Sequence, residues 1–244
     1  MNSTESLKKN SPWFLLWFPP VLFLLVIVAF SIYYGAQAQG DANVIAKKTT
    51  AATPYILLTV QLLLLVTQFA VFRRQRLSLR DIGWQVGAGA KREAWKELLL
   101  GAAFGAPLGL LYIYVLSPLM TAAQTAFGDY VPAGELLPSL GAAIIPFFLA
   151  NVILAPFVEE NIYRGFALTR LAPRFGTAGA VAISCIFFGL LHWSGGFWYM
   201  LLTGLVAGGL FAGLFVKRRN ILAPFGAHLA LNIVEFLLIW LMLR

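Results

Sequence analysis

The chain has 244 residues, of which 60% are hydrophobic and 11% are charged, and its mean hydropathy is +0.80. These values exclude an ordinary soluble domain and predict an all-α fold, a polytopic bundle of helices that cross the lipid bilayer. The formal net charge is +8, but the Lys and Arg residues lie at the ends of apolar runs, where they orient helices, so we expect no nucleic-acid partner. A single cysteine, Cys185, excludes a disulfide within the chain.

Uncharged runs of membrane-spanning length recur along the sequence and predict about seven transmembrane helices. They cover residues 13–34, 54–72, 98–120, 136–171, 177–192, 197–216 and 222–243. An eighth, poorly marked or re-entrant segment is the alternative. The first run also resembles a secretory signal, since Lys8 and Lys9 precede it and Ala-Gln-Ala follows at 36–38. Because it exceeds a signal core of about 7 to 15 residues, we expect a retained helix.

The distribution of basic residues predicts the orientation of the bundle. With seven alternating spans, 15 of the 18 Lys and Arg residues fall on one side. The positive-inside rule therefore places the amino terminus in the cytosol and the carboxyl terminus outside, in the cell membrane. We divide the chain into residues 1–97, with two membrane helices and a basic cytosolic linker, and residues 98–244, the predicted catalytic core.

Four glycines repeat at four-residue spacing in the sixth predicted helix, as Gly204 with Gly208 and Gly209 with Gly213. Small residues at this spacing let another helix approach closely. We interpret all four glycines as packing positions.

A charged segment follows 23 residues without any charge, residues 136–158. It contains Glu159, Glu160 and Arg164, and carboxylates in a membrane-deep segment indicate a functional site unless they only serve as structural partners. On a helix, Glu160 and Arg164 share a face and can pair, whereas Glu159 points about 100° away. We therefore predict that Glu160 and Arg164 stabilise the helix and that Glu159 is the reactive group.

Both histidines of the chain, His192 and His228, lie in or at the end of apolar spans. A single histidine in such a place is more often a hydrogen-bonded interior residue than a catalyst. However, Glu159 lies 15 residues before the predicted turn near residue 174 and His192 lies 18 residues after it, so an antiparallel helix pair brings both to a similar depth. With His228 and Asn232, which are four residues apart, they form a predicted polar cluster in the cytosolic half of the bundle.

The residue types of this cluster suit peptide-bond hydrolysis. A carboxylate and an imidazole can hold and activate water, and a second imidazole with an amide can donate hydrogen bonds to a developing oxyanion. The sequence contains no Gly-x-Ser-x-Gly elbow and no His-Glu-x-x-His helix, and Cys185 has no basic neighbour in sequence. Serine, thermolysin-like zinc and cysteine mechanisms therefore lack their local signatures.

Three motifs follow one another on successive hydrophobic helices: Glu159-Glu160-x-x-x-Arg164, Phe188-x-x-x-His192 and His228-x-x-x-Asn232. Together they resemble the three motifs of the CAAX protease and bacteriocin-processing family, also called the Abi or type II CAAX prenyl endopeptidase family. The segment 79–84, LRDIGW, is similar to the usual lead-in of that family. The first two spans show no motif and determine nothing about the function.

The resemblance implies an intramembrane endopeptidase that acts on a membrane-associated protein or peptide. Glu159 with His192 would activate water, and His228 with Asn232 would stabilise the tetrahedral oxyanion. Structural support would come from Glu160, Arg164 and Phe188.

Metal dependence is left open by the resemblance. The family is often described as metal-dependent, and Glu159, His192 and His228 could supply a three-ligand zinc site with an open position. We favour a metal-free carboxylate mechanism, because His228 is paired with Asn232, which is a poor zinc ligand.

A different functional class also fits the sequence. The chain could be an inactive membrane immunity or binding factor, or a small transporter, with a structural polar cluster. A transporter predicts two repeated halves with broken helices, and no internal repeat is visible in the sequence. On the peptidase interpretation, the substrate is a prenylated carboxyl terminus, a pheromone or bacteriocin leader, or another membrane protein.

Glu235 is the one acidic residue of the last predicted span. It shares a helix face with His228 and Asn232, one to two turns further along. One interpretation makes it a group that orients His228 or Asn232. We favour the other, in which Glu235 lies near the outer water layer or takes a structural hydrogen bond.

Overall fold

The computed structural model describes residues 11–84, 91–128 and 143–242. Within these ranges the ordered elements are helices, without a strand, and six helical stretches are long and apolar enough to cross a membrane. The predicted polytopic all-α bundle is therefore confirmed. Parts of the third linker and the start of the predicted fourth helix, residues 129–142, lie outside the described residues, as does the end of the last one.

The described residues of the amino-terminal half form five α-helices. In chain order they are α1 (Trp13–Gln37), α2 (Ala42–Ala51), α3 (Thr53–Gln75), α4 (Lys91–Leu111) and α5 (Ser117–Phe127), with a 3-10 turn at Arg80–Ile82 and a π-helical segment at Tyr112–Leu116. The short helix α2 was not predicted from the sequence. It begins at Asp41, whose side chain accepts hydrogen bonds from the backbone N–H groups of Asn43 and Val44 and so caps the helix.

The carboxyl-terminal half consists of α-helices interrupted by π-helical segments. The α-helices are α6 (Ile144–Phe147), α7 (Ala155–Glu159), α8 (Thr169–Leu191), α9 (Phe197–Leu202), α10 (Gly208–Arg218) and α11 (Leu222–Met242). The π-helical segments are Phe148–Leu154, Glu160–Leu168 and Thr203–Ala207. Such segments free backbone groups and often occur at functional sites.

The helical stretch from Ile144 to Leu191 contains 48 residues, too many for one crossing of about 30 Å of hydrocarbon. It breaks at Gly176, where φ is 70° and ψ is 168°. The Ser184 hydroxyl donates to the Tyr163 carbonyl at 3.0 Å, so the two arms fold back on each other. The break lies where the sequence predicts a turn, and the stretch accounts for the fourth and fifth predicted helices.

Helices α4 and α11 pack closely because small residues face each other. A Cβ atom on Gly101 would overlap the carbonyl oxygen of Ala223, and one on Gly105 would overlap that of Ala227. The residues in contact advance together by four positions, so the two helices run parallel. Close backbone contact of this kind stabilises membrane helix pairs, and here it holds the helix that carries His228.

The glycine prediction for the sixth predicted helix is correct for one pair and wrong for the other. A Cβ atom on Gly204 would lie 2.8 Å from the Cys185 carbonyl oxygen, and one on Gly208 would lie 3.2 Å from the Phe188 ring. By contrast, no atom comes within 4 Å of such a Cβ on Gly209 or Gly213. The second pair therefore does not pack against a described helix.

The segment 79–84 docks against the centre of the bundle. The Trp84 indole N–H donates to the Asn161 side-chain oxygen at 2.6 Å, within the π-helical segment that follows Glu159. The backbone N–H of Ile221, just before α11, donates to the carbonyl oxygen of Gly83 at 3.1 Å. The segment therefore connects the helix of the first motif to the helix of the third.

Candidate active site

Glu160 lies at the centre of a buried charge cluster. Its Oε1 atom accepts a hydrogen bond from Arg164 Nη1 at 3.0 Å and another from His228 Nδ1 at 2.9 Å. Glu160 and Arg164 are both fully buried. The predicted Glu160–Arg164 pair is confirmed, and the structure adds His228 to it, a contact that spacing along the sequence does not reveal.

Arg164 joins the helices that carry the first two motifs to α10. Its Nη2 atom donates to the Gly208 carbonyl oxygen at 3.1 Å. Its guanidinium lies over the Phe188 ring, 4.2 Å from the ring centroid, within range of a cation–π interaction. Since the side chain is buried at 0% exposure, these contacts compensate for part of its lost hydration.

Both histidines contact the ring of Phe188. The ring centroids are 5.0 Å apart for His192 and 5.9 Å for His228. The imidazole of His228 also stacks on Phe211, with centroids 4.7 Å apart and an interplanar angle of 20°. The fold therefore brings the second and third motifs together around one aromatic side chain.

The orientation of His192 is determined by the backbone one turn earlier. Its Nδ1 atom lies 2.7 Å from the Phe188 carbonyl oxygen. Because a carbonyl only accepts hydrogen bonds, Nδ1 carries the hydrogen and Nε2 is left as an acceptor. The carboxyl group of Glu159 lies within electrostatic range of the His192 ring.

Glu159 is buried at 3% exposure and has one described hydrogen-bond partner. Gln61 Nε2 on α3 donates to its Oε1 atom at 3.0 Å, and Oε2 has no partner among the described residues. The second span, which shows no motif in the sequence, therefore supplies a contact to Glu159. A glutamine inside an apolar span is itself the signal that could have indicated this role.

Asn232 is held by a backbone carbonyl. Its Nδ2 atom donates to the Asn151 carbonyl oxygen at 2.7 Å, and Asn151 lies in the π-helical segment Phe148–Leu154. A π-helical segment lacks part of the regular i to i−4 bonding, which leaves a carbonyl for this contact. Since an amide nitrogen carries two hydrogens, the second N–H of Asn232 remains available.

The possible metal set Glu159, His192 and His228 does not form a metal site in this conformation. Among the described residues, no group of three or more His, Cys, Asp or Glu side chains is arranged to hold a metal ion. His228 Nδ1 is already bound to Glu160. With Nδ1 held by the Glu160 carboxylate, His228 could offer only its Nε2 atom to a metal ion.

Glu235 is half-buried on α11, near two tyrosines. Its charge is close enough to act on the phenols of Tyr112 and Tyr199. The hydroxyls of Tyr112 and Thr203 are 3.0 Å apart and share a hydrogen bond. Glu235 thus belongs to a second polar group beside the one around Glu160.

Comparison with curated proteins gives a weak match of a different kind. Fluoride-specific ion channels FluC of Legionella pneumophila, strains Lens and Paris, are each 28% identical to this chain over 136 residues. The aligned region covers 53% of this chain and 96% of each channel. No solved structure matches the chain.

A family model matches the part of the chain that contains the site. Residues 141–234 match the model described as Rce1-like, type II CAAX prenyl endopeptidase. All three motifs lie within this range. The six long apolar helices identify an integral membrane protein. The match confirms that residues 141–234 resemble the type II CAAX prenyl endopeptidase family.

Proposed function

We propose that the protein is an intramembrane endopeptidase that hydrolyses a peptide bond in a membrane-associated protein or peptide. We place its amino terminus in the cytosol and the protein in the cell membrane, on the distribution of basic residues. The observation that carries the proposal is the convergence of the three motifs on one buried cluster. Glu160 binds Arg164 and His228, while Phe188 contacts both imidazoles.

In the proposed mechanism, Glu159 and His192 activate the water. The Oε2 atom of Glu159 has no partner among the described residues, and the hydrogen bond at Nδ1 of His192 leaves its Nε2 atom as an acceptor, so each can accept a hydrogen bond from one water molecule. Glu159 removes a proton as the water oxygen attacks the carbonyl carbon. A buried carboxylate near neutral imidazole is suited to this role because its other oxygen is fixed by Gln61.

The oxyanion that forms would be stabilised by Asn232 and His228. The second N–H of Asn232 donates to it, while the first remains on the Asn151 carbonyl. His228 holds Glu160 through Nδ1, so its Nε2 atom donates when both ring nitrogens carry a hydrogen. When the tetrahedral intermediate collapses, the C–N bond breaks and the proton on Glu159 passes to the leaving amine.

In this mechanism, Glu160, Arg164 and Phe188 do not touch the substrate. Arg164 binds Glu160 and the Gly208 carbonyl and lies over Phe188. These contacts fix the relative positions of the helices that carry the three motifs. The three residues are therefore positioning groups, which is the support predicted for them.

The decisive experiment is cleavage by purified protein in lipid. A panel of prenylated carboxyl-terminal peptides, bacteriocin-type leader peptides and transmembrane segments is incubated with the protein, and the cuts are mapped by mass spectrometry. We expect one class to be cut at a defined bond by the wild-type chain and left intact by Glu159→Gln. Cleavage at the wild-type rate by a well-folded Glu159→Gln protein would show that Glu159 is not the base, and a mock preparation from cells without the protein controls for a contaminating peptidase.

Metal removal tests the mechanism itself. On the metal-free carboxylate mechanism, which we favour because His228 is paired with Asn232 rather than with a further metal ligand, we expect a chelator-treated, metal-stripped preparation to retain full cleavage activity. The check is metal content by mass spectrometry beside the cleavage rate. Loss of activity that returns with added zinc would instead support a site formed by Glu159, His192 and His228.

The match to FluC channels favours one specific alternative, passage of an anion through the bundle. The test uses the same protein preparation in liposomes loaded with fluoride, with efflux followed by an ion-selective electrode. We expect no efflux above that of empty liposomes. Fluoride efflux without peptide cleavage would replace the peptidase proposal with a channel in which the cluster is structural.

A further inference from the structure

Three glutamines form a row along α3, and we define Gln61, Gln68 and Gln75 as the glutamine row. Successive members are seven residues apart, almost two helical turns, so they lie on one face of the helix at about 10 Å intervals. The helix that carries them is one of the six apolar stretches long enough to cross a membrane. Polar residues in such a helix usually face the interior and mark a pathway or a site.

Two members of the row are buried, and several polar atoms of the row have no partner among the described residues. Gln61 is 6% exposed and Gln68 is 0% exposed. Neither side-chain atom of Gln68 has a hydrogen-bond partner among the described residues, and the same holds for Oε1 of Gln61 and of Gln75. An amide kept out of water without hydrogen bonds is unfavourable, so these atoms require hydrogen-bond partners beyond the described residues.

The chemistry of the row identifies the ligand as water. An amide presents a donor and an acceptor side by side, and water matches both, as buried waters do when they bind otherwise unsatisfied polar groups. One end of the row reaches Glu159 through the 3.0 Å bond from Gln61. The other end, Gln75, is the last residue of α3 and is half-buried beside exposed Arg74.

The row also runs beside the helix that carries Glu159. Phe69 and Phe157 have ring centroids 6.4 Å apart, and Phe72 and Phe166 have centroids 5.6 Å apart. These contacts show that α3 follows that helix over several turns. The polar atoms of the glutamine row therefore lie between the Glu159 carboxylate and the end of α3 at Gln75.

We infer that the glutamine row lines a water path along α3, from the end at Gln75 to Glu159. The inference rests on the proposed function, because hydrolysis consumes one water molecule per bond and the site lies about 21 Å of helix from that end. By the predicted orientation, Gln75 faces the cytosol. The path supplies water to a site otherwise surrounded by apolar side chains.

Cysteine accessibility to Ag⁺ tests the path without requiring activity. In a Cys185→Ala background, which removes the single native thiol, Gln68→Cys is compared with Val66→Cys. Val66 lies at a similar depth on the same helix, but it is 67% exposed on the outer face of the bundle, where lipid surrounds it. Vesicles are treated with Ag⁺ in chloride-free buffer, and the thiols still free after denaturation are counted with a maleimide.

We expect the thiol at position 68 to react at least about tenfold faster than that at position 66, because thiols react as thiolates and thiolates need water. The reaction should be faster from the side at which Gln75 emerges. If Gln68→Cys does not accumulate, Gln61→Cys with Val60→Cys as its buried control repeats the test. If the glutamine-row thiol and its control thiol react equally slowly with Ag⁺, the proposed water path is wrong.

A parallel cleavage assay on the wild-type chain separates the two proposals. Normal cleavage with unreactive cysteines rejects the path and leaves the peptidase function standing. Fast reaction at position 68 without any cleavage supports the path and rejects the peptidase.

Discussion

Two adjacent carboxylates give the two sides of the central helix different properties. On one side, Glu160 Oε1 accepts hydrogen bonds from Arg164 and His228. Hydrogen bonds that involve a charged group are strong, so these two fix the position of the Glu160 carboxylate. On the other side, Glu159 is held only by neutral Gln61, and its second oxygen has no described partner. Both carboxylates are buried. The difference between Glu160, the structural carboxylate, and Glu159, the proposed reactive one, therefore lies in their hydrogen-bond partners and not in their burial.

The largest expected effect follows from removing the charge of Glu159. Glu159→Gln keeps the shape of the side chain but cannot accept a proton, so cleavage should fall by about 10²- to 10⁴-fold, as for the loss of a general base. Membrane accumulation and the melting temperature should change little, because the amide oxygen introduced at position 159 can still accept the hydrogen bond from Gln61 Nε2. Near-normal cleavage by a well-folded variant would show that Glu159 is not the base.

The neighbouring residue should respond in the opposite way. Glu160→Ala leaves Arg164 buried without its carboxylate, and breaking a buried pair on one side costs about 3 to 5 kcal/mol of folding free energy. We expect poor accumulation in membranes and a lower melting temperature, measured in detergent or nanodiscs.

Glu97→Ala is the matched control for Glu160→Ala. Glu97 pairs with Arg218 at a partly exposed position, so Glu97→Ala should cost no more than about 1 kcal/mol. A fully stable but inactive Glu160→Ala protein would show that the roles assigned to Glu159 and Glu160 are reversed.

An intermediate effect is expected at Gln61. Gln61→Leu removes the donor that fixes Glu159, and a hydrogen bond to a charged group contributes about 1.5 to 3 kcal/mol. If that bond orients the base, kcat should fall by about tenfold or more while KM is unchanged. Thr59→Val, an exposed change two residues away, is the matched control and should cleave normally. A Gln61→Leu protein that is less stable but has an unchanged kcat would mark the contact as structural only.

The sequence predicted the local contacts of the two carboxylates but not their contacts with distant segments. Spacing along one helix was enough to predict the Glu160–Arg164 pair and the turn near Gly176, because both are local. Contacts between distant segments were not predictable in the same way. Gln61 and Glu159 are 98 residues apart, and no periodicity connects them.

The packing of the helices shows the same limit. The four-residue glycine spacing predicted close contacts at Gly204 and Gly208, but the same spacing at Gly209 and Gly213 faces open space. Spacing indicates which residues share a face, whereas the partner of that face is determined by the rest of the fold. The close α4–α11 contact at Gly101 and Gly105 was missed for this reason.

The smallest effect is expected at Glu235, in the second polar group. Its surroundings contain Tyr112 and Tyr199, whereas Glu160 is bonded to the Arg164 guanidinium, so a change at position 235 breaks no ion pair between described residues. Glu235→Gln preserves size and polarity, and we expect near-normal stability and cleavage. Glu235→Leu should lower the melting temperature only if the side chain takes a buried hydrogen bond. A large fall in cleavage by Glu235→Gln, with normal membrane accumulation, would show that Glu235 orients His228 or Asn232 and would extend the site along α11.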